Sequence, residues 1–453
     1  MTISQHETEP VTPPVEELIE AGKVDVLSSL LGEMRPPEIA DALRSVTISN
    51  CGVALSLIDI ETAALVFPLL PEETQLSLLE ESTGEQLREI IAAMVPDDRI
   101  SFFGITPPEL LPKLLSYLNP LERKNAQKLL NYPPDSIGRL VNPNYVTVRP
   151  DWTPEHVLRY IRRYGEEAES FDSLYVIDDD GVLVDEVSLR SVLLADPKDT
   201  VSSLIDGHVV FLNAIDDRER AVHTLDRYDQ AVLPVVDEKM RMLGIVTFDD
   251  IADVAKDEAT EDFHKVAGID PLAASYRETG IIKLFSTRIR WLLILIGVNV
   301  ISLTIITFYE NTLNSMIALA FFLPLLIGSG GNTGSQVATL MIRALATKDV
   351  ETSQWMKIFI KEYALGICLG LAMGIASFGL GYLKGGTQVG LIISLSMFSI
   401  VLASNLIGTL LPFILTKLNI DPAFASSPLV TTLADATGLL IYFSIATSVM
   451  NSG

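Results

Sequence analysis

Polar and apolar residues are strongly separated along this chain. Short amphipathic runs alternate with prolines and acidic turns up to about residue 285, and an almost wholly apolar sequence follows from Trp291. Residues 291–309 contain no charge over 19 positions, which is long enough for a helix to cross a bilayer core. Four similar segments follow, at about 315–345, 358–382, 389–415 and 422–450. A soluble core can bury one such helix but not five in succession, so the pattern predicts a five-helix transmembrane domain over 286–453.

The first third of the chain has a helical pattern. Residues 15–136 carry amphipathic runs such as EELIEAGKVDVLSSLLGEM, interrupted by prolines. Each run is too short to bury its own apolar stripe, so the runs are predicted to stack as an all-α helical-repeat domain. The polar, Pro-rich residues 1–14 are predicted to form a disordered tail without a cleaved signal.

An internal repeat follows. Residues 173–193 and 232–252 align without a gap at an offset of 59, and each reads as a strand, an acidic turn, a second strand and a helix. A further matching unit precedes each copy, so two α/β domains of the form β-α-β-β-α are predicted at 137–200 and 201–257. A connecting helix is predicted at 258–285. The expected fold class is therefore multidomain, with all-α, tandem α/β and transmembrane parts.

Charge changes this picture by indicating a partner. Of 58 acids and 33 bases, only six acids and eight bases lie from Ser286 onward, which leaves 52 acids and 25 bases, about −27, before it. Such a surface repels nucleic acid and concentrates cations, although acidity can also serve solubility alone. The two cysteines, Cys51 and Cys368, lie far apart and fit a reducing compartment rather than a disulfide framework.

Basic residues predict the orientation in the membrane. They flank the first span, the loop between the second and third spans and the loop between the fourth and fifth, whereas the opposite loops carry only Lys384. The positive-inside rule then predicts a multi-pass plasma (inner) membrane protein with its N-terminus and acidic domains in the cytoplasm. An odd number of spans places Gly453 outside.

Asp435 is the acid closest to the middle of a span. An ionised group there is costly, so it faces either water or a buried base, and no base lies near the centre of a neighbouring span. The functional interpretation is a cation pathway. Because no Cys, His or Met cluster is nearby, hard oxygen ligands favour Mg²⁺, with Thr431 one turn before Asp435 as a candidate ligand.

A glycine-rich segment, GSGGNTGSQ at residues 328–336, occupies the second span. Its glycines can bare backbone carbonyls beside a transported ion, and Asn332 can add a polar ligand. Close packing of helices through small residues is the alternative, and both can hold together.

A third candidate is the acidic stretch TFDDIADVAKDEATED. Helical spacing places Asp250, Asp253 and Asp257 on one face, where they repel unless cations screen them. A solvated acidic face is the alternative. The sequence has no P-loop, GxSxG or HExxH motif, and we expect no enzymatic activity.

These motifs resemble a known family. IGSGGNTGSQVATLMIRALAT, DPAFASSPLVTTLADATGLLIYFSIA and EATEDFHKVAGID are similar to the MgtE magnesium channels, and LPVVDE with GIVTFDD resembles their CBS-domain pair. The resemblance spans nearly the whole chain. It implies a homodimer with the pore on its two-fold axis, closed when Mg²⁺ binds among the cytosolic domains. It also implies that Asp435 is the pore carboxylate.

The resemblance further implies which acids hold regulatory Mg²⁺. These are Asp217, Glu219, Asp229, Asp250, Asp253, Glu258, Glu261 and Asp262, with Asp97 and Asp98 as partners in the N-domain.

The chain departs from the family pattern at two places. Ser335 and Ser427 stand where the family has asparagine near the pore, so other divalent cations are expected beside Mg²⁺. Family CBS pairs can also bind ATP, which implies a role for Arg190. Ser191 and Gln230 replace the acid and the adenine-stacking aromatic expected there.

Three functions are therefore distinguished. The leading hypothesis is a gated Mg²⁺ channel. An exchanger of broader selectivity, coupled to H⁺ or Na⁺, is the nearest alternative, because one intramembrane acid can also carry a proton. A membrane-anchored nucleotide sensor is the third.

Overall fold

The computed structural model describes residues 14–81, 84–272, 276 and 279–452. Of the predicted tail, 1–14, only Pro14 falls within this part. The chain forms two compact units, residues 1–256 and 257–453.

Short helices fill the described residues up to Leu130, as the amphipathic pattern predicts. Prolines open several of them at the first turn, where a missing N–H is harmless, and Asn119 caps the last with hydrogen bonds to Leu121 and Glu122. Leu27, Ile39 and Phe67 are fully buried in the shared core. The helices are α1 (Val15–Glu20), α2 (Val24–Gly32), α3 (Pro36–Leu43), α4 (Ile48–Leu55), α5 (Ile60–Val66), α6 (Glu72–Glu81), α7 (Gly84–Ala93), α8 (Pro96–Ile105), α9 (Leu111–Tyr117) and α10 (Pro120–Leu130).

The two predicted α/β repeats are confirmed. In each, the first strand is parallel to the second, and the second is antiparallel to the third. The acidic turns have one design, because Asp178 and Asp237 each accept two backbone N–H groups with one carboxylate oxygen. The elements are β1 (Tyr145–Val148), α11 (Pro154–Tyr164), β2 (Ser170–Ile177), β3 (Leu183–Ser188), α12 (Leu189–Leu194), β4 (Leu212–Asn213), α13 (Glu219–Tyr228), β5 (Val232–Val236) and β6 (Met242–Thr247).

The connecting helix differs from the prediction. Helix α14 spans Phe248–Val266, so it begins inside the second α/β domain and ends well before residue 285. Gly268, at φ +70°, turns the chain after it. A helix beginning at Ile281 is already the first apolar span. The predicted helix at 258–285 is therefore wrong in both boundaries. The acidic helical pattern is continuous from residue 248, and the sequence signal for the two ends of the helix is weak.

Among the described residues of the second unit, four helices are long and apolar enough to cross a membrane. They are α15 (Ile281–Phe308), α17 (Leu323–Ala346), α18 (Trp355–Lys417) and α19 (Ser427–Ser452), with the short α16 (Glu310–Ser315) after the first. Non-helical backbone at Gly385 and Gly386 divides α18 into two arms, 355–384 and 387–417. The five predicted apolar helices are thus α15, α17, the two arms of α18 and α19.

Candidate functional site

Asp435 lies half-buried on α19 beside the glycine-rich segment of α17. A Cβ atom added to Gly331 would stand 2.8 Å from Thr431 Cγ2 and 3.5 Å from Asp435 Oδ1. Only glycine fits there, so bare backbone of α17 faces the carboxylate. The close-packing interpretation of the glycines holds as well, because a Cβ on Gly330 would stand 2.7 Å from Ile400 of the second arm of α18, and one on Gly334 would stand 3.0 Å from Val430 of α19 and 3.2 Å from the Ser404 carbonyl.

Hydroxyl groups occupy the same contact between α17 and α19. Ser335 Oγ lies 2.9 Å from Thr431 Oγ1 and donates to the carbonyl of Ser427 at 3.2 Å. Asn332, on the same segment, is exposed in the single chain. The structure therefore places Thr431 beside Ser335, one turn from Asp435, whereas the Asn332 side chain points away from the core of this chain.

A second group of acids lies in the first unit, where α8 meets the start of α14. Burial, followed by the charges of Asp250 and Asp98, raises the pKa of Asp97 to about 8. Burial, followed by the charges of Asp250 and Glu169, raises the pKa of Asp98 to about 6. Burial also raises the pKa of Asp250, although hydrogen bonds from Thr247 act against it. The largest charge effects all come from carboxylates, so the group binds protons or cations favourably.

Two residues in contact with this group, Asn142 and Glu169, were not predicted from the sequence. Asn142 Nδ2 donates to Asp97 Oδ1 at 2.9 Å and to Glu169 Oε2 at 3.1 Å. Burial and the charges of Asp249 and Asp250 raise the pKa of Glu169. No sequence signal marks either residue, because both become neighbours of Asp97 only through the fold. Together the half-buried Asp97, Asp98 and Asp250 and the more exposed Glu169 form what we call the buried acid group.

Three predicted metal ligands of the second α/β domain are exposed and lie at the two ends of α13. Asp217 Oδ1 accepts the N–H of Glu219 at 2.9 Å, and Glu219 pairs with His223 at 3.4 Å. Asp229 ends the helix in a left-handed conformation at φ 52°. These side-chain contacts are local, so the structure does not draw the three residues into the buried acid group.

The remaining predicted ligands follow on α14. Asp253 is exposed in the first unit, whereas Glu258, Glu261 and Asp262 are half-buried in the second. Glu261 Oε1 lies 2.7 Å from Lys265 Nζ, which also contacts Asp421 Oδ2 at 2.5 Å. In this conformation Lys265 therefore already supplies a positive charge to the Glu261 carboxylate.

The donor chemistry fits a hard cation held through water. Across the described ranges, no three His, Cys, Asp or Glu side chains converge closely enough to enclose an ion directly. The buried acid group offers carboxylate oxygens, the donors that Mg²⁺ prefers, and Mg²⁺ commonly keeps several of its waters. Asp97, Asp98, Asp250 and Glu169 would hold such an ion, which would supply the positive charge that the group lacks.

Arg190, the predicted nucleotide contact, is exposed beside a pocket of about 460 Å³. Asp172 lines the same pocket, with Ser188, Leu189, Leu193 and Leu194. The aspartate carboxylate opposes the binding of an anionic phosphate, so the pocket is only partly suited to a nucleotide.

The chain combines a set of apolar helices, one half-buried aspartate and acidic α/β domains of a regulatory type. This combination defines a membrane transport protein for cations. Comparison with known proteins narrows the class. The family described as "Divalent cation transporter" matches residues 323–445, the "MgtE intracellular N domain" matches 34–135, and the "CBS domain" matches 137–198 and 201–257.

Relatives extend the match over nearly the whole chain. The magnesium transporter MgtE of Thermus thermophilus is 37% identical over 435 residues, 95% of this chain and 97% of the relative. The magnesium transporter MgtE of Bacillus subtilis is 32% identical over 444 residues, 96% of each chain. The chain therefore belongs to the MgtE family, as its motifs indicated.

One solved structure supports the fold of the soluble part. The cytosolic domain of the Mg²⁺ channel MgtE, crystallised with ATP, covers 54% of this chain and 100% of its own, with 32% identity and a TM-score of 0.51.

Proposed function

We propose that this protein is a gated Mg²⁺ channel whose pore passes Asp435 and whose acidic domains sense cytosolic Mg²⁺. The observation that carries the proposal is the placement of Asp435 against the bare backbone of Gly331, next to the hydroxyls of Ser335 and Thr431. The Mg²⁺ function of the relatives supports the choice of ion.

The oxygen groups around Asp435 suit an ion that keeps its water. Mg²⁺ dehydrates reluctantly, so a carboxylate can attract the ion while hydroxyl and carbonyl oxygens accept hydrogen bonds from its waters. One carboxylate per chain gives strong attraction without a closed cage, which is what conduction requires. In the homodimer that we propose, two copies of Asp435 and of the outward-facing Asn332 would face one pore.

Sensing follows from the buried acid group. Without a cation, its carboxylates repel each other and carry the cost of burial. Mg²⁺ binding removes that cost, so rising Mg²⁺ favours the conformation in which α8 and α14 lie together. We propose that this conformation is the closed one. The acids at 217, 219, 229, 253, 258, 261 and 262 are further proposed Mg²⁺ ligands in that state.

The pore is tested by Mg²⁺ uptake into proteoliposomes containing Asp435→Asn, which keeps the size of the side chain and removes its charge. Uptake should fall to the level of empty vesicles. Asp349→Asn, which removes an exposed acid of the same unit, is the matched control and should keep full uptake. Unchanged uptake in Asp435→Asn would sink the pore assignment. Parallel uptake of Mn²⁺, Co²⁺ and Ca²⁺ measures the broader selectivity expected from Ser335 and Ser427.

Gating is tested by currents in excised patches at rising cytosolic Mg²⁺. Asp97→Asn combined with Asp250→Asn should shift the closing curve to higher Mg²⁺. Asp41→Asn, an exposed acid of the same domain, should leave the curve in place. An unshifted curve in the double variant would mean that the buried acid group does not sense Mg²⁺.

The exchanger alternative makes a separate prediction. A channel current reverses at the Mg²⁺ equilibrium potential, and an H⁺ or Na⁺ gradient should not move that reversal. We expect the same patches to show the acidic domains on the cytoplasmic side.

For nucleotide control, the ATP complex of the related cytosolic domain motivates a thermal-shift titration with ATP, in which Arg190→Ala should remove any shift.

A further inference from the structure

A second acid is buried in the membrane unit, away from Asp435. Glu362, on the first arm of α18, is only 8% exposed, although Lys357 and Lys361 beside it in sequence are exposed. Its partner is on the second arm: Asn405 Nδ2 donates to the Glu362 carbonyl at 2.8 Å and approaches its carboxylate Oε2 at 3.4 Å. Asn405 is fully buried, and its Oδ1 makes no hydrogen bond. Burying a polar pair this deeply costs free energy, and the unbonded Asn405 oxygen adds to that cost. We therefore expect the pair to have a role.

Packing of the two arms does not require this pair. Small residues already bring the arms together: a Cβ on Gly370 would stand 2.9 Å from the Phe398 carbonyl, and one on Gly381 would stand 2.8 Å from Gly390 Cα. Small residues of this kind let the two helix backbones approach closely, but they contribute no side-chain hydrogen bond that would select one register. A buried polar pair has its best-attested role in fixing such a register.

The register of the second arm matters for Asp435. Ser404, next to Asn405, contacts the glycine-rich segment of α17, since a Cβ on Gly334 would stand 3.2 Å from its carbonyl. One turn further on, a Cβ on Gly408 would stand 2.3 Å from the Gly334 carbonyl. The second arm thus packs against one side of the glycine-rich segment of α17, and the other side of that segment faces Asp435.

We propose that Glu362 and Asn405 are positioning residues for cation passage. They fix the second arm of α18 in one register, and that arm holds the glycine-rich segment at its distance from Asp435. This inference rests on the proposed function, because it assigns the pair an effect through the Asp435 site.

The test is the concentration dependence of Mg²⁺ uptake in proteoliposomes reconstituted with full-length variants. Asn405→Ala removes both hydrogen bonds of the pair and should raise the apparent KM for Mg²⁺ about fivefold, a size typical of one interhelical polar contact. Glu362→Ala keeps the backbone carbonyl and loses only the 3.4 Å contact, so its KM should rise less, about threefold. Glu362→Gln keeps the shape and the acceptor oxygen, so its KM should stay within about twofold of the wild-type value. The double alanine variant should match Asn405→Ala, since that substitution alone already removes both hydrogen bonds.

Controls separate positioning from general stability and from the pore itself. Ser377→Ala removes a buried hydroxyl that bonds only within its own helix, to the Met373 carbonyl, and should leave KM unchanged. A KM rise in Ser377→Ala, or none in Asn405→Ala, would overturn the inference. Equal loss in Glu362→Gln and Glu362→Ala would make Glu362 an ion ligand and would also overturn it. Asp435→Asn is run in parallel: if it abolishes uptake while KM is unchanged in the Asn405 variant, the pore assignment stands and only this inference fails.

Discussion

Replacing Asp97 with asparagine should make the stability of the first unit less dependent on pH. The pKa of Asp97 is about 8 in the folded protein against 3.8 in an unfolded chain, so between these values the folded state holds a proton that the unfolded state has lost. Stability therefore falls as pH rises through this window and levels off above about pH 8. The slope of one such group is about 1.4 kcal/mol per pH unit at most, which gives about 2–3 kcal/mol between pH 6 and 8.

Cys51 provides the readout for this prediction. Its side chain is fully buried in the helical domain and burial raises the pKa of its thiol to about 12, so a maleimide reaches it only when the domain opens. In a Cys368→Ser background, the temperature of Cys51 labelling should fall by about 5–10 °C from pH 6 to pH 8 without Mg²⁺. Asp97→Asn should remove most of that fall.

Magnesium should also change the temperature at which Cys51 is labelled. Saturating Mg²⁺ should raise the labelling temperature of the wild type at pH 8, because the ion replaces the missing proton, and should raise that of Asp97→Asn much less. Two results would refute the reasoning: a wild-type labelling temperature that is flat between pH 6 and 8, or an equal Mg²⁺ effect in both proteins.

Further substitutions test the membrane unit and the helical domain. Gly331→Ala should abolish Mg²⁺ uptake, because its Cβ would lie 2.8 Å from a side chain on α19, whereas Gly328→Ala, with open space around it, should keep uptake; equal uptake in both would contradict the packing. Lys265→Met should lower the unfolding temperature of the second unit in detergent, since it leaves Asp421 half-buried without its cation, at a cost on the order of 1–3 kcal/mol; an unchanged temperature would show that the ion pair adds no stability. Native Cys51 should resist labelling at pH 8 and 25 °C for as long as the domain stays folded, and rapid labelling would contradict its burial.

The sequence determined the architecture because the signals for it are local. Nineteen uncharged residues in a row specify a membrane helix whatever surrounds them, and the 59-residue repeat offset specifies two like α/β domains. Asp435 was found for the same reason, since a charge within an apolar run stands out without any knowledge of its neighbours. The limits of the connecting helix were missed because helix ends depend on local capping and packing that the amphipathic pattern does not encode.

Tertiary structure alone decided which polar groups meet. Asn142 contacts Asp97, which is 45 positions away in the sequence, and Glu169, which is 27 positions away. Asn405 contacts Glu362 at a separation of 43 positions. No periodicity in the sequence records such distances. The glycines at 330, 331 and 334 illustrate the division most clearly. The sequence showed that they loosen or pack a helix, and the fold showed that Gly331 packs against α19 beside Asp435, that Gly330 packs on the second arm of α18 and that Gly334 lies between the two. The physical reason is that pattern specifies the face of an element, whereas the partner of that face is set by how all elements pack together.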